Sequence, residues 1–151
     1  MAKLIVVDVE ADGPIPGKYN MVSFGAVLVD KAGRLDKTFY GKVRPITKEF
    51  IPEALAVSGH SRIEHESFDE PIDVMQAFAE WIASLGEGNK IFLSDNLAFD
   101  WQWINWYFHY FLGKNPFGFS GQRIGDKFQG FIIVHTTDGN NIVKLHIRII
   151  R

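Results

Sequence analysis

Apolar residues fall into blocks whose spacing separates strands from helices. Lys3–Val9 is a mostly apolar run ending in acids, the pattern of a strand buried on both faces. Met21–Val29 (MVSFGAVLV) is a second strand, entered from a loop of Gly13-Pro14-Ile15-Pro16-Gly17. Lys37–Val43 is a third, reached through the turn Asp30-Lys31-Ala32-Gly33. Short turns between the three imply an antiparallel meander. Helical spacing then takes over. Pro52 suits the first turn of a short helix that stops near Gly59. Pro71 opens a second, in which Val74, Met75, Phe78, Trp81, Ile82 and Leu85 share a face and Gly86 ends the run. Lys90–Ser94 reads as a strand, and Ala98–Leu112 as a third helix with Ser94, Asp95 and Asn96 as capping candidates. The order β-β-β-α-α-β-α is that of a mixed α/β chain, taken as one domain over 1–151. Beyond about Gly130 the texture changes. Phe131–Val134 and Ile142–Ile150 are strand-like, and the polar run Thr136-Thr137-Asp138-Gly139-Asn140-Asn141 lies between them.

Composition narrows the picture. Hydrophobic residues make up 46% and charged residues 23%, which excludes a disordered chain. Cysteine is absent, which excludes a disulfide framework and any Cys-bearing zinc, haem or redox motif. No apolar run approaches the roughly 18 residues of a membrane span, and the short apolar start runs into acids. The expectation is a cytoplasmic protein with no membrane partner. The net charge of −2 argues against coating a nucleic-acid duplex. Charge is uneven, however: residues 1–113 hold 10 basic and 16 acidic side chains, and residues 114–151 hold 6 and 2. An acidic body of this kind needs cations if it is to handle phosphates.

Two acidic stations carry the chemistry. Asp8 and Glu10 are two apart, so on a strand they project to one face. Carboxylates side by side repel and call for water, a proton or a divalent cation. About 90 residues further on, Asn96-Leu97-Ala98-Phe99-Asp100 opens the third helix. Taken alone, Asp100 is explained by the helix dipole and Asn96 by capping.

Together the stations Val7-Asp8-Val9-Glu10-Ala11-Asp12-Gly13 and Ser94-Asp95-Asn96-Leu97-Ala98-Phe99-Asp100 resemble those of the DEDD superfamily of 3′–5′ exonucleases. Ile51-Pro52-Glu53-Ala54 with Val57-Ser58-Gly59-His60 resembles the short helix and loop after that family's third strand. Arg123-Ile124-Gly125-Asp126 resembles the strand segment that follows its second motif. The resemblance covers about residues 3–130. It implies an RNase H-like fold, with a mixed five-stranded central sheet flanked by helices. It implies metal-dependent hydrolysis from the 3′ end of single-stranded RNA or DNA, or of short oligonucleotides. Asp8 would bridge two metals, Glu10 would hold the one that activates water, and Asp100 would act on the second. Oxygen ligands without cysteine favour Mg2+ or Mn2+ over zinc. Ala11, Asp12, Gly13, His60, Asn96 and Phe99 would meet the terminal nucleotide, Gly13 by letting backbone approach closely.

The family's last acid belongs to a motif of His, four residues, then Asp, on a final helix, with the His as general base. This chain lacks it. His135 precedes Asp138 by three residues, so these two are only substitutes, and His146 has no acid after it. The expectation is an incomplete metal site and impaired activity, with residues 131–151 a diverged, truncated or frame-altered tail. A non-catalytic domain on the same fold, binding nucleic acid or a protein, is the alternative. A haloacid dehalogenase-type phosphatase needs Asp-x-Asp where this chain has Glu10.

The third helix is unusually aromatic. Phe99, Trp101, Trp103, Trp106, Tyr107, Phe108, Tyr110 and Phe111 leave only Gln102, Asn105 and His109 as a polar stripe. Core packing accounts for most of these rings. Trp101 and Phe108, which point away from the Phe99/Trp103/Trp106 face, are the interface candidates. Members of the oligoribonuclease and RNase T branches dimerise, so the resemblance implies a homodimer.

Overall fold

The computed structural model describes residues 1–29 and 34–126, and the backbone of 130–137 and 142–149. Strands β1 (Lys3–Ala11), β2 (Met21–Val29) and β3 (Thr38–Lys42) form the meander read from the sequence. Helices α1 (Pro52–Val57), α2 (Arg62–Glu66) and α3 (Pro71–Ser84) follow, then β4 (Lys90–Ser94), α4 (Leu97–Leu112) and the two-residue β5 (Gln122–Arg123). The five strands make one mixed sheet in the order β3-β2-β1-β4-β5. β1 runs antiparallel to β2 and parallel to β4. The segment read as a strand at Arg123–Asp126 is a strand only at its start. Ile124–Asp126 is a 3₁₀ turn, with Ile124 buried. Strands β6 (Gly130–Thr137) and β7 (Ile142–Ile149) pair with each other and form a separate two-stranded sheet. Among the described residues no helix is long and apolar enough to cross a membrane.

Alternation along β1 divides the core in two. Ile5, Val7, Val9 and Ala11 pack with α3 and α4, whereas Val6 packs with Val27, Leu93 and Ile124 on the other face. Asp8 and Glu10 continue the Val6 register. The larger core is aromatic. Phe78 of α3 stacks on Phe108 of α4 at 5.5 Å and 15°, and tilts onto Phe24 of β2 at 4.8 Å. Each ring buried this fully contributes roughly 1.5–3 kcal/mol. Phe108 is therefore core and not interface: its arc of α4 is covered by α3. Trp101 is half-buried, edge-on to Phe92 at 5.2 Å, so it too has a partner within the chain.

Local signals set the helix ends. Pro begins α1 and α3 in their first turns. Gly113 ends α4 with φ +73°, the left-handed conformation that a side chain resists. α2, missed in the sequence, has a complete capping box between Ser61 and Glu64.

His65 on α2 is fully buried, and its Nε2 contacts the Met21 carbonyl at 3.2 Å. Burial pushes its pKa down to about 4, and the Arg62 charge adds to the effect. The ring is therefore neutral in the fold, whereas an unfolded chain takes up a proton near pH 6.5. Between those two values the unfolded state binds more protons, so stability falls as pH is lowered through that window and levels off below it. Denaturant unfolding at pH 7.5 and pH 5 should show the wild type losing about 2 kcal/mol more than His65→Gln on acidification.

Candidate active site

The parallel ladder between β1 and β4 ends at Val6 and Leu93, while β1 continues to Ala11. Beyond that point the β1 edge needs other partners. The chain leaves β4 at Ser94 and enters α4, whose fourth residue is Asp100. Its Oδ1 accepts the Val9 N–H at 3.0 Å, across 91 residues of sequence. That bond sets Asp100 beside the backbone between Asp8 and Glu10. Asp8 lies opposite Gly25 and Glu10 opposite Ser23 in the β1–β2 register, so the strand next door presents no bulk at Asp8 and a small side chain at Glu10. A register shift between Glu10 and Ala11 follows, where Ala11 pairs with Met21. The Met21 N–H donates to the hydroxyl of buried Tyr107 at 2.8 Å, so α4 holds β1 at Val9 and β2 at Met21.

The three carboxyls sense one another. Burial pushes Glu10 up to about 7, and the Asp8 charge adds to it. Asp100 is pushed up to about 7, first by burial and then by Asp8; the Val9 N–H and the nearby Ser94 hydroxyl offset part of this, and Glu10 adds to it. Ser94 lies close enough to act on that carboxyl but falls outside hydrogen-bond geometry, leaving its buried hydroxyl without a partner. A cluster of hard oxygen donors held against its own repulsion matches the chemistry of a divalent cation. The donors are gathered but not closed: among the described residues no group of three or more His, Cys, Asp or Glu side chains is placed to hold a metal ion.

The other residues singled out in the sequence divide. Asn96 takes the N-cap position of α4 but makes no side-chain cap bond, so the capping explanation fails and its amide is left at the surface. Phe99 is half-buried and sits edge-on to Trp103 at 6.1 Å. Ala11 belongs to the core. Gly13 is required by Tyr19, because a Cβ there would meet the Tyr19 ring at 2.1 Å. Asp12 is fully buried and its carboxylate is taken up by Asn20 and Arg62, so that side chain is not free for a nucleotide. His60 is not a surface histidine; it is 9% exposed and set edge-on to Phe68 at 5.0 Å. His135 lies on β6, where only backbone is described, and Asp138 lies outside the described residues.

Sequence reading passed over Asn20, Arg62 and Tyr107. Asn20 follows a Gly/Pro loop and looks like an ordinary turn residue. Arg62 sits inside the Ser61-Arg62-Ile63-Glu64 capping box, which announces a helix start without saying what the arginine reaches. Tyr107 is hidden among seven other aromatic residues on its helix.

No protein-family profile matches the chain. An Escherichia coli protein, 3′–5′ DNA exonuclease Cap18, is 42% identical over 129 residues, which cover 83% of this chain and 67% of that protein. Exonuclease I from Methylocaldum szegediense shares the fold with a TM-score of 0.67 at 16% identity, over 83% of this chain and 28% of its own. E. coli exonuclease I in complex with a dT13 oligonucleotide gives 0.61 at 19% identity, over 82% of this chain and 27% of its own. Cell-death related nuclease 4 gives 0.59 at 17% identity, over 70% of this chain and 39% of its own. The chain thus spans less than a third of the exonuclease I chains it matches. The fold is RNase H-like.

Replacing Asp100 by Asn keeps an oxygen for the Val9 N–H and removes a buried charge. At pH 8 with chelator present, the variant should be more stable than the wild type by about 1–2 kcal/mol in denaturant unfolding. A loss of stability would show that the three acids do not repel one another in the fold.

Proposed function

The chain belongs to the family of 3′–5′ exonucleases that includes its E. coli relative, and from that membership we propose that Asp8, Glu10 and Asp100 form a metal-dependent centre that hydrolyses phosphodiester bonds at the 3′ end of single-stranded DNA. The observation that carries the reading is the bond from the Val9 N–H to Asp100, which draws acids from two distant segments to one strand end. Mg2+ or Mn2+ fits the all-oxygen donor set. When bound, such ions would polarise water and neutralise charge on the scissile phosphate. The protein's own part is positional. Val9 fixes the Asp100 carboxyl, and the strand pleat sets Asp8 and Glu10 on one face. The half-buried ring of Phe99 and the uncommitted amide of Asn96 stand at the same end of α4, where a terminal base and sugar could rest. His60 and the backbone of Ala11–Gly13 complete the substrate side of this reading. The cytoplasm, whose reducing conditions suit a chain without cysteine, is the proposed setting.

The fourth acid is the weak point of the site. In the region where the family's last motif would lie on a helix, strands β6 and β7 pair instead. His135 and Asp138 are the only substitutes in sequence, so the chain on its own should be a slow enzyme. Site groups act as a unit, and missing one ligand and one base removes several orders of magnitude in rate.

A 5′-labelled single strand should shorten slowly from its 3′ end with Mn2+ or Mg2+. Chelator should stop the reaction, and Asp8→Ala should reduce it at least a hundredfold without changing the circular dichroism spectrum. An RNA strand of the same sequence tests the choice of sugar. Chelator-resistant cleavage, or cuts confined to the interior of the strand, would overturn the proposal. Specific binding of the strand with no cleavage, even at high enzyme concentration, would favour a non-catalytic domain.

A further inference from the structure

A second polar cluster lies just beyond the acids. Asp12 is two residues past Glu10, and Asp12 and Asn20 are both fully buried. Asn20 donates from its backbone N–H to Asp12 Oδ1 at 2.6 Å and from Nδ2 to Asp12 Oδ2 at 2.8 Å. The same Nδ2 donates to the Glu49 carbonyl at 2.9 Å, while Oδ1 accepts the Ile46 and Thr47 N–H groups, both at 2.8 Å. Every donor and acceptor of this amide is used. Arg62 Nη1 meets Asp12 Oδ2 at 3.1 Å, Nη2 donates to the Thr47 carbonyl at 2.9 Å, and Nε pairs with Glu66 at 3.1 Å. The guanidinium lies 4.8 Å from the centre of the Phe50 ring. The Asp12 carbonyl accepts the Ile51 N–H at 2.8 Å, at the start of α1.

These bonds fasten one stretch of chain, residues 46–62, to the end of β1. That stretch includes α1 and the turn bearing His60. A buried carboxylate and a buried amide are poor ways to gain stability, because an apolar filling of the same volume costs less desolvation. What they supply is direction, since each bond fixes a distance and an angle between segments far apart in sequence.

We propose that Asp12, Asn20 and Arg62 are positioning residues: they clamp the 46–62 segment at a set place relative to Asp8 and Glu10, and so fix where the 3′-terminal nucleotide stops. The clamp rests on the exonuclease reading above and adds to it the device that gives end recognition. Arg62 is its keystone. A planar fork reaching Asp12, Thr47 and Glu66 at once cannot be reproduced by a point-charge ammonium, so lysine restores the charge but only part of the geometry.

The test uses binding and not turnover, with the complete chain and Ca2+ in place of a catalytic cation. Fluorescence anisotropy compares a single-stranded oligonucleotide ending in a 3′-hydroxyl with the same strand blocked by a 3′-phosphate. Electron paramagnetic resonance measures Mn2+ affinity separately. The wild type should prefer the free end about tenfold or more, a difference of about 1.4 kcal/mol. Arg62→Met should bring that preference to within about twofold while leaving the Mn2+ Kd unchanged within the same factor, and Arg62→Lys should fall between. If Arg62→Met does not fold, Arg62→Lys carries the same comparison at smaller amplitude. Full preference in a folded variant overturns the clamp alone. Preference and Mn2+ affinity falling together also overturn it, because a general loosening of the fold would do that. A wild type that binds both strands equally overturns the clamp alone, since end preference is what the clamp supplies; a wild type that binds neither overturns the exonuclease reading and the clamp with it.

Discussion

The bond between the Val9 N–H and the Asp100 carboxyl is the constraint on which the site depends. It exists because a parallel neighbour stops early. β4 pairs with β1 only as far as Leu93, and the strand beyond is left with an unpaired edge. An unpaired N–H in a buried position is costly, and the first turn of the following helix is near enough to supply an acceptor. A backbone requirement thus brings a carboxyl to the one place where Asp8 and Glu10 already stand. Burial first, and the neighbouring carboxyl charges second, raise the pKa values of Glu10 and Asp100 at that place.

Holding charges in this way requires rigid support, and α4 provides it. Trp103, Ile104, Tyr107 and Phe108 are all fully buried on it, and its phenol and carboxyl reach two adjacent strands. Gln102 adds a third tie, donating to the Pro14 carbonyl at 2.9 Å in the loop after β1. The aromatic excess that stands out in the sequence is therefore largely a foundation. Rings interlocked between Phe24, Phe78 and Phe108 fix α4 against α3 and β2.

The long elements were legible because their signals are local. The apolar runs of β1 and β2 and the Pro-to-Gly frame of α3 need no knowledge of distant residues. The pairing of Asp8 and Glu10 on one face followed from strand periodicity, and the approach of Asp100 from motif order. Failures occurred where the deciding partner lies far along the chain. Nothing near Asn20 announces that it will meet Ile46 and Thr47, and nothing near Asp12 announces Arg62, 50 residues on. Phe108 was misplaced for a related reason: a helical wheel displays two apolar arcs but cannot say which of them α3 will cover. The brevity of β5 was also invisible, since Arg123–Asp126 has the same composition whether it continues as a strand or coils into a 3₁₀ turn.

The Tyr107 hydroxyl on Met21 has a consequence for how such a domain can change over evolutionary time. With side chains of α4 tied to the backbone of Val9, Met21 and Pro14, the helix that carries Asp100 is held by main-chain groups that almost any residue at those positions would supply. Residues 46–51 are held to Asp12, Asn20 and Arg62 largely by side-chain bonds, with the Ile51 N–H on the Asp12 carbonyl as a backbone tie. Side chains there can change in concert while the bond from Val9 to Asp100 stays as it is.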